Sequence, residues 1–353
     1  MITLNAAQYK CPNCDAELTF DPSTQQLTCD FCRSEFTMDK IKEIYADIKP
    51  ESAEETEQKE EFESHTNLYQ CKNCGAEIMA EDDTTATFCY YCHSPVILSG
   101  RLKGDFKPSK IIGFHIERDQ AEKLFKDWCS KKKFIPSDFK SQQQLEKMTG
   151  LYVPFWVTDC DVSADFQALG KKVRSWSSGS YRYTETKEYM VIRKAKIRAE
   201  GIPADGESKI EDLLMESIEP FDYDALKPFD MSYFSGFFAD KYDVDKAAVF
   251  PRIKERVTQA SRNVINQSIS GYTSTVVQHQ NYNIDRTNWQ YIMLPVWFMT
   301  YRYQDKIYEF AINGQTGKLA GTPPLDKGKL TLASILFGLG IAVVAFLGGQ
   351  FFI

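Results

Sequence analysis

Eight of the ten cysteines stand in four Cys-x-x-Cys pairs, and their chemistry is that of a thiolate-bound metal ion. Cys11 and Cys14 are followed, after fourteen residues, by Cys29 and Cys32; sixty residues on, Cys71, Cys74, Cys89 and Cys92 repeat the spacing without a gap. Asn13, Ala16 and Ser34 recur at the matching places as Asn73, Ala76 and Ser94, so the segment is an internal duplication. Each pair presents two thiolates from one tight knuckle, and two knuckles joined by a hairpin set four sulfurs around Zn²⁺ at about 2.3 Å. Two zinc ions are expected, one held by Cys11, Cys14, Cys29 and Cys32 and one by Cys71, Cys74, Cys89 and Cys92. Four sulfurs close each site, which leaves no position for a substrate or a catalytic water. Structural zinc supplies about 10 to 16 kcal/mol, which segments this short need because they bury too little surface alone. Gly75 follows a knuckle where a left-handed backbone suits glycine, whereas the first copy has Asp15, which tolerates that conformation less well.

Other cysteine chemistries fit less well. Cys89, Cys92 and His93 match a haem-attachment signature, but the start MITLNAAQYK lacks the apolar core of an export signal. A thioredoxin-like site needs one Cys-x-x-Cys in a βαβ setting, not four at matched spacing. Cys129 falls on the apolar stripe of a helix over Arg118–Lys133, and Cys160 within a strand, so both are expected in the core. His115 and His279 have no sequence neighbours that complete a triad or a metal set. No catalytic residue is assigned and the chain is not expected to be an enzyme.

Charge narrows the partners. The chain carries 42 basic and 49 acidic residues, for a net charge of −7. Met1–Asp47 holds four basic against eight acidic residues and Tyr69–Lys107 four against five, the wrong sign for phosphate contact. Protein partners are therefore expected and nucleic acid is not. The one basic region is Lys171–Glu200, where nine cations face three glutamates. There, period two puts Lys194, Lys196 and Arg198 on one strand face: first a solvated face, secondarily a surface for anionic headgroups or an acidic partner.

The elements that must position these residues follow from composition and periodicity. The expected fold class is α+β: two N-terminal zinc ribbons, a mixed helix and antiparallel-sheet domain, and one C-terminal transmembrane helix. Residues 1–48 form the first ribbon, 49–67 an acidic flexible linker with seven glutamates against two lysines, 68–107 the second ribbon and 108–325 the α+β domain. Within that domain a short helix is expected around Phe139–Met148, and Pro154 suggests that LYVPFWV is an edge strand or bulged. Ser208 and Glu211 read as a capping box, Asp240, Asp243 and Asp245 as capping acids before a helix over Val244–Ser270, and Asn313-Gly314 as a hairpin turn. LPVWF echoes VPFWV and hints at paired strands. Leu330–Ile353, twenty-four residues without a charge, reaches about 36 Å as a helix against a hydrocarbon core of about 30 Å, and Lys327 and Lys329 stand just before it. The expectation is a single-pass span in the cell membrane with the N-terminal bulk cytoplasmic, the lipid bilayer being one of its partners.

With both ribbons, TATFCYYCHSPVIL, GDFKP, GLYVPFWV, LLMESIEPFDYD, FSGFFADKYDV, LPVWF and YEFAINGQTGKLAG in view, the chain resembles a family of bacterial membrane-anchored zinc-ribbon proteins of the transcription-factor-IIB ribbon type. The resemblance covers nearly the whole chain. It implies zinc at the eight cysteines above, no assigned activity, and partners in the phage-shock PspA system during envelope stress. The expected function is thus a membrane-anchored adaptor that recruits protein partners to the cytoplasmic membrane. The alternative is a membrane-tethered nucleic-acid binder using the ribbons or Lys194, Lys196 and Arg198.

Overall fold

The computed structural model describes residues 10–16, 18–21, 26–37, 40–41, 43–44, 53–81, 88–92, 94, 96–101, 106–234, 237–304 and 306–349. His93 and residues 350–353 of the expected span lie outside them. Three long strands carry the fold: β8 (Thr149–Ser178), β9 (Tyr181–Asp205) and β12 (Ser274–Tyr303). β8 runs antiparallel to both neighbours, from Thr149 opposite Phe298 to Lys171 opposite Ser274, and from Phe155 opposite Asp205 to Ser178 opposite Tyr181. Its sequence explains its surroundings. The run TGLYVPFWVT is apolar on both faces and buried throughout; DVSADFQALG alternates, one face in and one out; and beyond Lys172 the side chains are exposed. The strands carrying VPFWV and LPVWF are paired, though the two motifs meet only at Val153 opposite Leu294; the rest of VPFWV faces Gln290–Met293.

Pro154 is neither at a sheet edge nor on a bulge. On one side of β8, β11 (Phe238–Asp240) pairs parallel with Leu151 and Tyr152, and β9 takes over only at Phe155. Pro154 falls between these partners, where a missing N–H leaves no ladder bond unmade, and its carbonyl accepts from the Gly206 N–H at 2.8 Å. The sheet is therefore mixed rather than purely antiparallel: β7 (Lys110–Ile111) also lies parallel to β12. β13 (Lys306–Asn313) and β14 (Leu319–Gly321) continue from β12 as the expected antiparallel meander.

Helices cover the faces. α2 (Arg118–Ser130) buries Ala121, Phe125 and Cys129 against Trp297, Met299 and Phe310. The second expected helix breaks into a 3₁₀ turn at Asp138–Lys140 and α3 (Gln142–Leu145), split by Ser141, whose side chain caps the latter. α4 (Asp212–Ile218) is not opened by a Ser208 capping box, because Ser208 turns instead to the carboxylate of Asp243. α5 (Lys246–Gln267), capped by Asp245, lays Val249, Ile253, Val257 and Ile265 over Val162, Phe166, Ala168 and Val191. Cys129 and Cys160 are in the core, where burial pushes each thiol up to about 11.

Two expectations about the ends of the fold are corrected. The expected flexible linker contains α1 (Ala53–His65), whose Phe62 is buried edge-on against Phe229 at 5.5 Å. A charge-rich run can still form a helix when one apolar side chain ties it down. The transmembrane helix does not stand either: among the described residues no helix is long and apolar enough to cross a membrane. α6 (Lys327–Gly349) opens with lysines in its first turn, and Lys329 donates to the Ile135 carbonyl at 2.8 Å and Ser137 at 2.9 Å. The fold is a large mixed sheet with helices and two cysteine-rich units, and the single-pass membrane location falls with the span.

The turn after β13 is built by a side chain. Asn313, 0% exposed, donates to the Ile218 and Pro220 carbonyls at 3.0 and 3.2 Å and accepts from the Gln315 and Thr316 N–H groups, both at 2.9 Å. Gly314 is needed for close approach, since a Cβ there would meet Phe114 at 2.7 Å and Pro295 at 2.8 Å. Asn313→Ala strands these groups, and we expect about 2–4 kcal/mol of lost stability by denaturant titration. A loss under about 1 kcal/mol would contradict the role given to Asn313.

Candidate metal centres

In the first unit β1 (Leu18–Asp21), β2 (Gln26–Cys29) and β3 (Glu35–Phe36) form a three-stranded antiparallel sheet that sets its knuckles face to face. The first knuckle is closed by Cys11 N–H to Ala16 at 2.6 Å and Asp15 N–H to Cys11 at 2.8 Å; the second by Cys29 N–H to Ser34 at 2.9 Å and Arg33 N–H to Cys29 at 2.8 Å. Asp15 and Arg33 both take the left-handed conformation, with φ of 63° and 58°, as does Gly75 at 74°. Asp15 therefore does the work of the glycine despite its Cβ, and its carboxylate pairs with Lys246 at 2.9 Å. In the second unit β4 (Thr66–Cys71) pairs with both β5 (Glu77–Glu81) and β6 (Val96–Arg101), and the Cys71 and Cys89 N–H groups bond to Ala76 and Ser94.

All eight cysteines named from the sequence come together in the two expected sets, and within each set the sulfurs lie within 4.8 Å of one another. Cys11 to Cys32 and Cys14 to Cys29 are 3.5 Å apart, Cys71 to Cys92 is 3.5 Å and Cys74 to Cys89 is 3.6 Å. These distances are far too long for disulfides and close to the roughly 3.8 Å edge of a sulfur tetrahedron with 2.3 Å metal bonds. The sulfurs are crowded in a way that works against charge. Contacts with Cys14 and Cys32, then burial, push the Cys11 thiol well up, and burial does the same to Cys74 and Cys89. Burial opposes Cys92 too, yet hydrogen bonds from Ser94 and Asn73 bring it down to about 6. A divalent cation removes the conflict by supplying the positive charge that the thiolates need, so the residues fit a metal. With four sulfur donors each centre is coordinatively closed, and the metal's contribution there is to fix the knuckles.

The two copies attach to the sheet by different knuckles, which the spacing did not show. The first uses Asn13. Thr287 donates to the Pro12 and Asn13 carbonyls at 3.0 and 3.2 Å, Trp289 Nε1 donates to the Asn13 carbonyl at 2.9 Å, and Phe250 packs among the four cysteines. Asn13 is buried, whereas its counterpart Asn73 is exposed. The second copy uses the residues between Cys89 and Cys92: Tyr90 and Tyr91 are buried, and both hydroxyls donate to Asp240, Tyr91 at 2.6 Å. Its strand β5 pairs with β11, and Cys71 and Cys89 belong to the same apolar cluster as Leu151, Phe155 and Phe298. The sequence pointed to Asp240 only as one of three capping acids; Asp245 is the one that caps, and Asp240 is 0% exposed beneath the second ribbon.

Asp240 has a buried acidic neighbour, Glu207, which accepts from the Lys209 N–H at 3.0 Å. Burial pushes both carboxyls up, Glu207 to about 9 with repulsion from Asp240 and Asp243 added, and Asp240 to about 7 against the hydrogen bonds from Tyr90 and Tyr91. Folded protein then holds protons that unfolded chain releases near pH 4, so stability falls as pH rises from about 4 to about 7 for Asp240 and on to about 9 for Glu207. Glu207→Gln is expected to flatten this fall in zinc-saturated protein, read as denaturation midpoints between pH 5.5 and 8; parallel curves for the two proteins would rule out the coupling.

Metal content and stability should also divide between the copies. Wild-type protein should carry two zinc ions, and Cys11→Ser or Cys71→Ser about one. Cys71→Ser should lower the main thermal transition by more than about 10 °C, because its centre lies in the body's core, and Cys11→Ser by only a few degrees. Equal shifts would contradict this division.

Compared with known proteins, the chain matches no known family description and no solved structure. It is 36% identical over 324 residues, 91% of either chain, to a Bacillus subtilis (strain 168) protein named "Uncharacterized protein YdjG". Agreement of that extent places the chain in the YdjG family.

Proposed function

We propose that the protein is a non-enzymatic adaptor in which two zinc ribbons present binding surfaces for protein partners. The observation that carries the reading is the pair of closed tetra-cysteine clusters, each fixed to the sheet by its own buried polar contacts. Zinc is the metal that four thiolates in a tetrahedral set favour. Closed coordination supports a scaffold rather than a catalyst. The partners follow from the family resemblance: proteins of the phage-shock PspA system, met in envelope stress. The first ribbon is docked on Thr287 and Trp289, so its surface would be presented from a fixed position.

Nucleic-acid binding is the weaker reading, because the basic strand face carries its own counter-charges. Lys194 lies 3.5 Å from Asp165 and Arg198 3.8 Å from Asp161, across β9 and β8. Such exposed pairs are individually weak, but they lower the field that phosphates would meet.

Affinity purification of tagged full-length wild type and Cys11→Ser, followed by identification of bound proteins, tests the adaptor reading. PspA-system proteins are expected with wild type and at several-fold lower yield with the variant. Recovery of no such partner, or salt-sensitive retention of DNA or RNA in its place, would overturn it.

A further inference from the structure

Along all of Tyr181–Asp205 the strand β9 has one partner, β8; its other edge carries no strand among the described residues. From Val191 onward α5 lies across it, with Val191 packed beneath the helix and Arg193 bonded to Ser268 just past the helix end. Before Val191 nothing covers it: every residue from Tyr181 to Met190 is exposed. There β8 has no second neighbour either, because β12 begins opposite Lys171. Lys172–Ser178 and Tyr181–Lys187 therefore form a two-stranded arm of seven residue pairs, about 23 Å long. Two strands alone are marginally stable in water, and an open edge of this length is a template for another strand.

The residues of the edge select which strand fits. Alternation puts Tyr181, Tyr183, Glu185, Lys187 and Tyr189 on one face. Laid antiparallel against its own copy about a two-fold axis at Thr186, the segment sets Glu185 opposite the second copy's Lys187 and Lys187 opposite its Glu185, with Tyr183 opposite Tyr189 on either side. Moving the axis by one residue destroys the match: at position 185 two glutamates oppose each other, and at 187 two lysines. Within one chain Glu185 and Lys187 are neighbours at 3.4 Å, an exposed pair worth little, and Lys172 stands directly opposite Lys187 across β8. The second copy's Glu185 gives Lys187 a carboxylate on its open side. The aromatic row lengthens in the same register. Trp176 and Tyr183 are stacked at 5.7 Å, and the second copy's Tyr189 continues that row to its own neighbour Tyr272, 5.9 Å away.

We propose that this edge of β9 is a self-association surface: two copies of the chain pair antiparallel through Tyr181–Met190 about Thr186, joining two two-stranded arms into one four-stranded sheet. A two-fold contact of this kind closes at the dimer. The surface lies outside both cysteine units, so it goes beyond the adaptor reading and stands without it.

Sedimentation equilibrium of zinc-loaded full-length protein at micromolar concentration is expected to give twice the chain mass. Glu185→Lys or Lys187→Glu each create two like-charge oppositions across the axis and should weaken the dimer at least about tenfold. Circular dichroism and the unfolding midpoint should stay as in wild type, since both side chains are exposed. The double variant Glu185→Lys/Lys187→Glu should dimerise like wild type. The two single variants, mixed in equal amounts, should form a mixed dimer, because each supplies the charge that the other lacks. A monomer at every micromolar concentration, an association indifferent to both reversals, or single variants that stay apart on mixing would overturn the proposal.

Discussion

Four sulfurs confined within 4.8 Å of one another cannot all hold charge unless a cation shares the space, and the chain is arranged around two such confinements. Burial and neighbouring thiols raise Cys11, Cys74 and Cys89 away from the thiolate form, the form that binds metal. Metal binding and knuckle geometry are therefore one equilibrium. The hydrogen bonds that the cysteine N–H groups donate to the Ala16, Ser34, Ala76 and Ser94 carbonyls and the left-handed turns at Asp15, Arg33 and Gly75 set the sulfurs; a bound cation would make that setting stable.

The duplicated unit has been put to two uses by changing what surrounds one spacing. In the second copy the residues inside Cys89-x-x-Cys92 are tyrosines whose hydroxyls converge on Asp240, so the metal centre is continuous with the core of the sheet. In the first copy the corresponding residues are Asp30 and Phe31, both exposed, and attachment passes to Asn13, Thr287 and Trp289. One centre thus lies within the core of the sheet while the other is attached to its surface. The buried carboxyls Asp240 and Glu207 are the cost of the first arrangement, and their pairing with tyrosines and the Lys209 backbone keeps it tolerable.

The sites were legible in the sequence because metal ligation leaves a rigid signature: four pairs, one inner spacing, repeated. Local periodicity also served where one face decides, as in α2, α5 and the alternating part of β9. What the sequence hid depended on contacts between distant segments. Pro154 read as an edge signal, yet it sits mid-sheet in a gap between two partners of β8; Ser208 read as a cap, yet it bonds to Asp243. The acidic linker read as free, yet one phenylalanine, Phe62, tethers a helix. Leu330–Ile353 read as a span from its lack of charge, yet among the described residues no helix is long and apolar enough to cross a membrane, and α6 is tied at its first turn by Lys329, bonded to Ile135 and Ser137. Asp240 read only as a capping acid, and its place beneath Tyr90 and Tyr91 left no signal, since a single buried polar residue has no period.

X-ray absorption at the zinc edge of purified full-length protein tests the central claim most directly. Two zinc ions per chain, each with four sulfur neighbours at about 2.3 Å and no lighter ligand, is the predicted result. A nitrogen or oxygen neighbour in either centre would contradict it, because an open or mixed site would leave a coordination position for water or substrate.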